Sequence, residues 1–285
     1  MNLDKQQILF FAHLIHLISA WEYKDVDLWE NEYPSCGGVQ QSPINLDDIG
    51  KNFKSSQKII LKRYNTTPKK MTVKNNGHTV EIKPEWDESH NKKPRVIKDG
   101  KKYEVVQIHY HWGTSDNSGS EHIFNDFTIT TFINFTQKFS TSLEVHVVHW
   151  NPEYGSFDPE QGEGILVLGN LYITNESYSS EYLDILTSSF PSIIEPDSDP
   201  VEVKPFPLSK IFNDGWADTY LTYTGSLTTP PCSEGVAWVI LNHPSTVNSQ
   251  QIEVFRTIKF SHGDDHNNRP IQSPNERKIT PVSMY

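Results

Sequence analysis

Alternating apolar and polar positions recur along most of this chain. Runs at 58–64, 71–75, 78–83, 103–112, 143–150, 165–173 and 236–241 are rich in β-branched, aromatic and other apolar residues, several alternating and the last two nearly continuous, and predict strands. Turn-forming clusters separate them at Asn75-Asn76-Gly77, at Asp99-Gly100 and at 116–119. Helical spacing is scarce, and 181–190 and 250–258 are the segments that carry it. Residues 21–46 are rich in turn formers and aromatics, so they are expected to wrap the surface. There is no internal repeat. The pattern predicts one mainly β (α+β) domain with short surface helices.

The first twenty residues are built differently. An apolar run at 8–18 follows a short polar start with Lys5 and ends at Ser19-Ala20, which reads as a secretory signal peptide over 1–20. Asp4, His13 and His16 dilute that pattern, and a buried N-terminal helix is the competing reading. A membrane span is not expected, because spanning takes about 20 apolar residues. The mature domain is then 21–285, secreted and extracellular. Its C-terminus is polar, without the hydrophobic tail of a lipid-anchor signal.

At 285 residues the chain suits one large domain. Its 25 basic and 36 acidic residues leave a net charge of −11, which disfavours nucleic acid and anionic lipid as partners. The two cysteines, Cys36 and Cys232, lie outside the signal. An even pair in an exported chain suggests one disulfide, with two buried thiols as the alternative. Such a long-range crosslink stabilises by up to about 5 kcal/mol in chain-entropy terms. Sequons at Asn65, Asn134 and Asn175 are candidate N-glycosylation sites.

The candidate chemistry sits on two predicted strands. In Gln107-Ile108-His109-Tyr110-His111-Trp112, alternation puts Gln107, His109 and His111 on one face. In Glu144-Val145-His146-Val147-Val148, it puts Glu144, His146 and Val148 together. If the strands are neighbours, three imidazoles converge with a fourth position open, the arrangement of a catalytic zinc. Each ligating ring needs an acceptor for its other N–H, and Gln107 and Glu144 stand beside His109 and His146. A carboxylate buried on a strand face costs several kcal/mol unless paired, so Glu144 calls for such a partner.

Several motifs stand in order along the chain: Gln-Ser-Pro-Ile-Asn at 41–45, Asn-Asn-Gly-His at 75–78, Gln-Ile-His-Tyr-His-Trp-Gly at 107–113, Gly-Ser-Glu-His at 119–122, Leu-Glu-Val-His-Val-Val-His-Trp-Asn at 143–151 and Gly-Ser-Leu-Thr-Thr-Pro-Pro-Cys at 225–232. Together, in that order, they resemble the α-class carbonic anhydrases, from residue 21 to about 270. The resemblance implies a single domain around a large, mostly antiparallel, twisted central sheet. It also implies a zinc ion on His109, His111 and His146 that ionises water to the hydroxide attacking carbon dioxide.

The remaining roles follow from the same resemblance. Thr228 would orient the hydroxide and donate to Glu121. Val148, Val167, Leu227, Val236 and Trp238 would line the carbon dioxide slot, with Thr229 at its edge. His78 would shuttle the proton, since an imidazole exchanges protons near neutrality. Tyr23, Asn76 and Thr229 would order the intervening water. The carbonyl of Asn267 would accept from His111, and Cys36–Cys232 would tie the Thr228-Thr229 loop to the N-terminal segment. Glu81 stands where the family often has a neutral group, and Asn268 where it often has Trp. His122, His149, His243, His262 and His266 read as structural or surface.

The chain departs from the family between His122 and Glu144, where it is longer. The extra material falls within 123–141 and includes Phe127-Thr128-Ile129-Thr130-Thr131-Phe132-Ile133, apolar and β-branched. It would extend a hairpin or pair between chains, and it bears most directly on where His146 is placed. A monomer is otherwise expected, with carbon dioxide and bicarbonate as small-molecule partners. Two alternatives share the scaffold: a non-catalytic carbonic-anhydrase-related binding or matrix protein, and a secreted zinc esterase.

Overall fold

The computed structural model describes residues 21–47, 58–87, 92–124, 128–129, 133–134, 140–212 and 219–284. The signal reading at 1–20 lies outside them. Fourteen strands are described: β1 Lys58–Lys62, β2 Lys70–Asn75, β3 Val80–Glu85, β4 Arg95–Lys98, β5 Lys101–Trp112, β6 Thr128–Ile129, β7 Ile133–Asn134, β8 Leu143–Trp150, β9 Ile165–Thr174, β10 Val201–Glu202, β11 Thr219–Ser226, β12 Glu234–Leu241, β13 Ser245–Val247 and β14 Thr280–Met284. All but β6 and β7 belong to one twelve-stranded sheet.

The sheet is mixed but mostly antiparallel. Its parallel pairings are β1 with β14 and β9 with β12 and β13. At its centre β8 lies between β5 and β9, and its eight residues are all buried. One face packs a large core that includes Ile108, Tyr110, Val145 and Val147. The opposite face carries a second cluster with Val148, Val167, Val236 and Trp238. The helices are short, Glu181–Thr187 and Ser249–Phe255. Both are shorter than the periodicity suggested; the first ends near Pro191 and the second begins at an Asn248/Gln251 capping box.

Two expectations about boundaries change. The strand expected at 78–83 begins only at Val80, so His78 belongs to the turn before it. Strands at 95–98, 219–226 and 280–284 carry less of the apolar alternation and still join the sheet. Within the insertion, β6 pairs with β7 in a small antiparallel sheet of its own. The segments flanking it are pinned: the Leu46 N–H donates to the Ile123 carbonyl at 2.9 Å, and the Ser140 hydroxyl to the Ser120 carbonyl at 2.9 Å. Three residues after Ser140, β8 starts in register. Among the described residues no helix is long and apolar enough to cross a membrane.

Candidate metal centre

In the antiparallel pairing of β5 and β8, His109 stands opposite His146 and His111 opposite Glu144. Opposed residues share a face. Because Ile108 and Tyr110 point into the main core, all three histidines lie on the other side with Gln107 and Glu144. Their ligand atoms lie within 4.8 Å of one another.

Each ring has one nitrogen committed. His109 Nδ1 donates to Gln107 Oε1 at 3.0 Å, His111 Nδ1 to the Asn267 carbonyl at 2.6 Å, and His146 Nε2 to Glu144 Oε1 at 2.8 Å. These bonds fix the tautomers and leave His109 Nε2, His111 Nε2 and His146 Nδ1 as bare lone pairs. His111 Nε2 is buried without a partner. His146 Nδ1 and His109 Nε2 lie 3.2 Å apart. Two lone pairs so close repel, whereas tetrahedral zinc with bonds of about 2.0–2.1 Å puts its nitrogen ligands about 3.3 Å apart. The donor set fits zinc.

Burial supplies the protonation state that ligation needs. It pushes His109 well below its ordinary range, helped by His111 and His146, and His111 down to about 3, helped by His146. His146 is also lowered, chiefly by burial. Neutral imidazoles can bind a cation at neutral pH without first losing protons.

Glu144 does more than hold His146. Its oxygens also accept from the N–H groups of Glu121 and His122, at 2.9 and 2.8 Å, and from His122 Nδ1 at 2.7 Å. Burial raises its pKa, but His122 and His146 outweigh that and hold it well below the carboxylate range. His122, structural or surface by its sequence, is structural. It is fully buried and continues the network through its Nε2 to the Tyr223 hydroxyl at 2.7 Å, which contacts Ser42 Oγ at 2.8 Å. The triad of His122, Glu144 and His146 could also hold a cation by spacing, but these internal bonds already occupy it.

Glu121 sits buried beside the histidines. Its Oε1 accepts from the Arg269 N–H at 2.9 Å and lies 3.4 Å from His111 Nδ1. Burial and the Glu144 charge push its pKa well up against the pull of Arg269 and Thr228. Its Oε2 lacks a partner of good hydrogen-bond geometry, although the buried Thr228 hydroxyl is close enough to draw the pKa down.

The apolar wall assembles by register. Val148 opposes Val167 across β8 and β9, and Val167 opposes Trp238 across β9 and β12. Val236 joins the same cluster and Leu227 packs against it. Thr229 is partly exposed, and its carbonyl accepts from the Cys232 N–H at 2.9 Å. Cys36 and Cys232 form a disulfide, tying this loop to the N-terminal segment.

His78 sits on a tight turn, tied to the ligand strand through Asn267. Gly77 has φ +88°, and a Cβ there would come within 2.4 Å of Ser261 Oγ, so glycine is required. Asn76 Oδ1 accepts from the N–H groups of His78 and Thr79 at 3.0 and 2.9 Å. Asn267 Nδ2 donates to the His78 carbonyl at 3.1 Å and to the Tyr110 carbonyl at 2.8 Å, linking the turn to the ligand strand. The His78 ring stacks on Trp21 at 3.9 Å and 12°, and its Nδ1 is buried without a partner. Burial and His262 lower its pKa, while Asp264 and Asp197 oppose them. Tyr23 is buried nearby, and its backbone N–H donates to Asp264 at 3.1 Å.

Three neutral imidazoles on adjacent strands, open toward an apolar wall, define a candidate mononuclear metal centre on a mainly β domain. The chain belongs to the eukaryotic-type carbonic anhydrase family, whose model matches residues 24–283. It is 31% identical over 295 residues to carbonic anhydrase 6 of Mus musculus, covering 97% of this chain and 84% of that protein. It is 32% identical over 276 residues to carbonic anhydrase 6 of Canis lupus familiaris, with 93% and 78% covered. The corresponding protein of Bos taurus is 30% identical over 278 residues, with 91% and 79% covered. Membership makes this chain a carbonic anhydrase and supports carbon dioxide hydration as its activity.

Proposed function

We propose that this enzyme interconverts carbon dioxide and bicarbonate at a zinc ion held by His109, His111 and His146, with His78 carrying the released proton. The observation behind this reading is the set of three bare imidazole nitrogens. One is an orphan in the interior and two face each other at 3.2 Å. Zinc bound there supplies a Lewis acid that brings water to ionise near neutrality, as is established for carbonic anhydrase. The chain's own residues do the rest. Gln107, Asn267 and Glu144 hold the rings in the ligating tautomer. A nearby dication favours the ionised form of Glu121, so Thr228 donates to that carboxylate and, as acceptor, orients the nucleophile. Val148, Val167, Leu227, Val236 and Trp238 keep the slot beside it dry for a linear apolar gas.

His78 is suited to proton export. Its ring is part-exposed at the mouth, and no hydrogen bond fixes its Nδ1. Tyr23, Asn76 and Thr229 would order the water that joins it to the centre. The mature enzyme is residues 21–285, and we assign it to the extracellular space as a monomer. The disulfide supports this, because such bonds persist in oxidising compartments. Asn65 and Asn175 are exposed, as glycosylation requires, whereas Asn134 lies on the inserted β7.

Purified protein should contain one equivalent of zinc and hydrate carbon dioxide in stopped flow, with both lost on chelation. Stoichiometric zinc without hydration would sink the catalytic reading.

A further inference from the structure

The side of the sheet that carries the ligand histidines also carries a charge with no part in the scheme above. Glu81 on β3 stands directly opposite His109 on β5, with Ile82 opposite Ile108 beside it. Val80 and Ile82 point into the main core, so Glu81 and Lys83 face the ligand side with His109. Opposed residues have Cβ atoms about 4.5–5.5 Å apart. The Glu81 side chain is only 14% exposed, and its Oε1 lies 3.0 Å from Nζ of Lys83, which is 62% exposed. A carboxylate thus stands on the ligand side of the sheet, on the strand beside His109 and partly withdrawn from water, while its counter-charge lies outward in solvent. Of the two charges the carboxylate is the more withdrawn from water and the ammonium the more screened by it.

We propose that Glu81 is a specificity-determining residue that weakens the binding of monovalent anions at the metal centre, bicarbonate included, while leaving neutral carbon dioxide unaffected. Anions of the halide and pseudohalide type are drawn to a dicationic centre and would occupy the position the nucleophile needs. A fixed negative charge in a low-dielectric pocket raises the free energy of each such anion by its Coulomb interaction. Carbon dioxide carries no net charge and feels no comparable effect. The inference rests on the three-histidine metal site.

The test replaces zinc by cobalt(II) in the full chain and follows visible absorption while thiocyanate is added. Glu81→Gln should lower the thiocyanate Kd by about threefold, the size expected for one charge acting across a partly solvated path. Glu81→Lys should lower it further, because the sign is then inverted. A Kd that is unchanged or raised in both variants overturns the proposal. Failure of cobalt to give a histidine-ligated spectrum in the wild-type chain overturns the metal site and this proposal with it. A normal spectrum with equal Kd values removes the role of Glu81 alone.

Discussion

The floor of the site and its mouth both present imidazoles, but they hold them in opposite ways. On the floor His111 and His146 are buried, and all three ligand rings have one nitrogen bonded to a defined acceptor. At the mouth His78 is part-exposed, held by stacking on Trp21, with no bond fixing the angle of its ring. A metal ligand gains from preorganisation, because misdirected lone pairs weaken every bond to the ion. A proton carrier must exchange with water, so a ring locked by hydrogen bonds would hinder it. The proposed roles draw on one sheet for both, with paired strands at the floor and a glycine turn before β3.

The sharpest way to break this contrast is to loosen the floor. Glu144 accepts four hydrogen bonds and is fully buried, whereas Gln107 supports a ligand that is partly exposed. Glu144→Gln puts an amide donor among donors, so zinc affinity should fall by about 10- to 100-fold. Gln107→Ala should cost less, because water can replace its single bond to His109. Competition with a chromophoric chelator measures both. Equal losses would show that the buried network contributes nothing beyond one hydrogen bond.

If His78 is the carrier we propose, removing it should act on rate and leave metal content alone. His78→Ala should lower kcat by about tenfold in dilute buffer, a modest share of what general acid–base groups contribute, and leave zinc content unchanged. Small imidazole buffers should restore the rate, since they carry the same proton through solution. An unchanged kcat would take the shuttle role away from His78.

Much of the floor could be read in advance because it obeys local rules. The alternation in 143–150 gave the bounds of β8, and the spacing of His109, His111 and His146 gave their shared face. β11 was hidden because residues 220–223 are buried on both faces, so its threonines and tyrosines show no apolar–polar alternation. Thr222 hides its hydroxyl there by donating to the Trp238 carbonyl at 2.7 Å. β14 carries Pro281, which usually argues against an inner strand. The role of His122 was illegible for another reason. It depends on Ser42, Glu144 and Tyr223 meeting across long stretches of chain, and no local spacing encodes that. The mouth was legible in its residues, but the Trp21 stack on His78 was not.

That stack yields the smallest predicted effect. Burial is the main cause of the lowered His78 pKa, and Trp21 covers one face of the ring. A lowered pKa means that His78 is neutral, and able to accept a proton, over more of the acid range than a free imidazole. The acid limb of kcat in the hydration direction should therefore lie below the ordinary histidine range. Trp21→Ala exposes the ring, relieves the penalty on its charged form and should move that limb up, back toward the ordinary histidine range. The charges that also face the ring, His262 against Asp264 and Asp197, remain in place, so the shift is bounded. The measurement is the pH profile of kcat for the two proteins in the same dilute buffer. A limb that moves down would mean that the stack stabilises the protonated ring, as a cation over an aromatic face can. Burial would then not be what sets the shuttle's pKa.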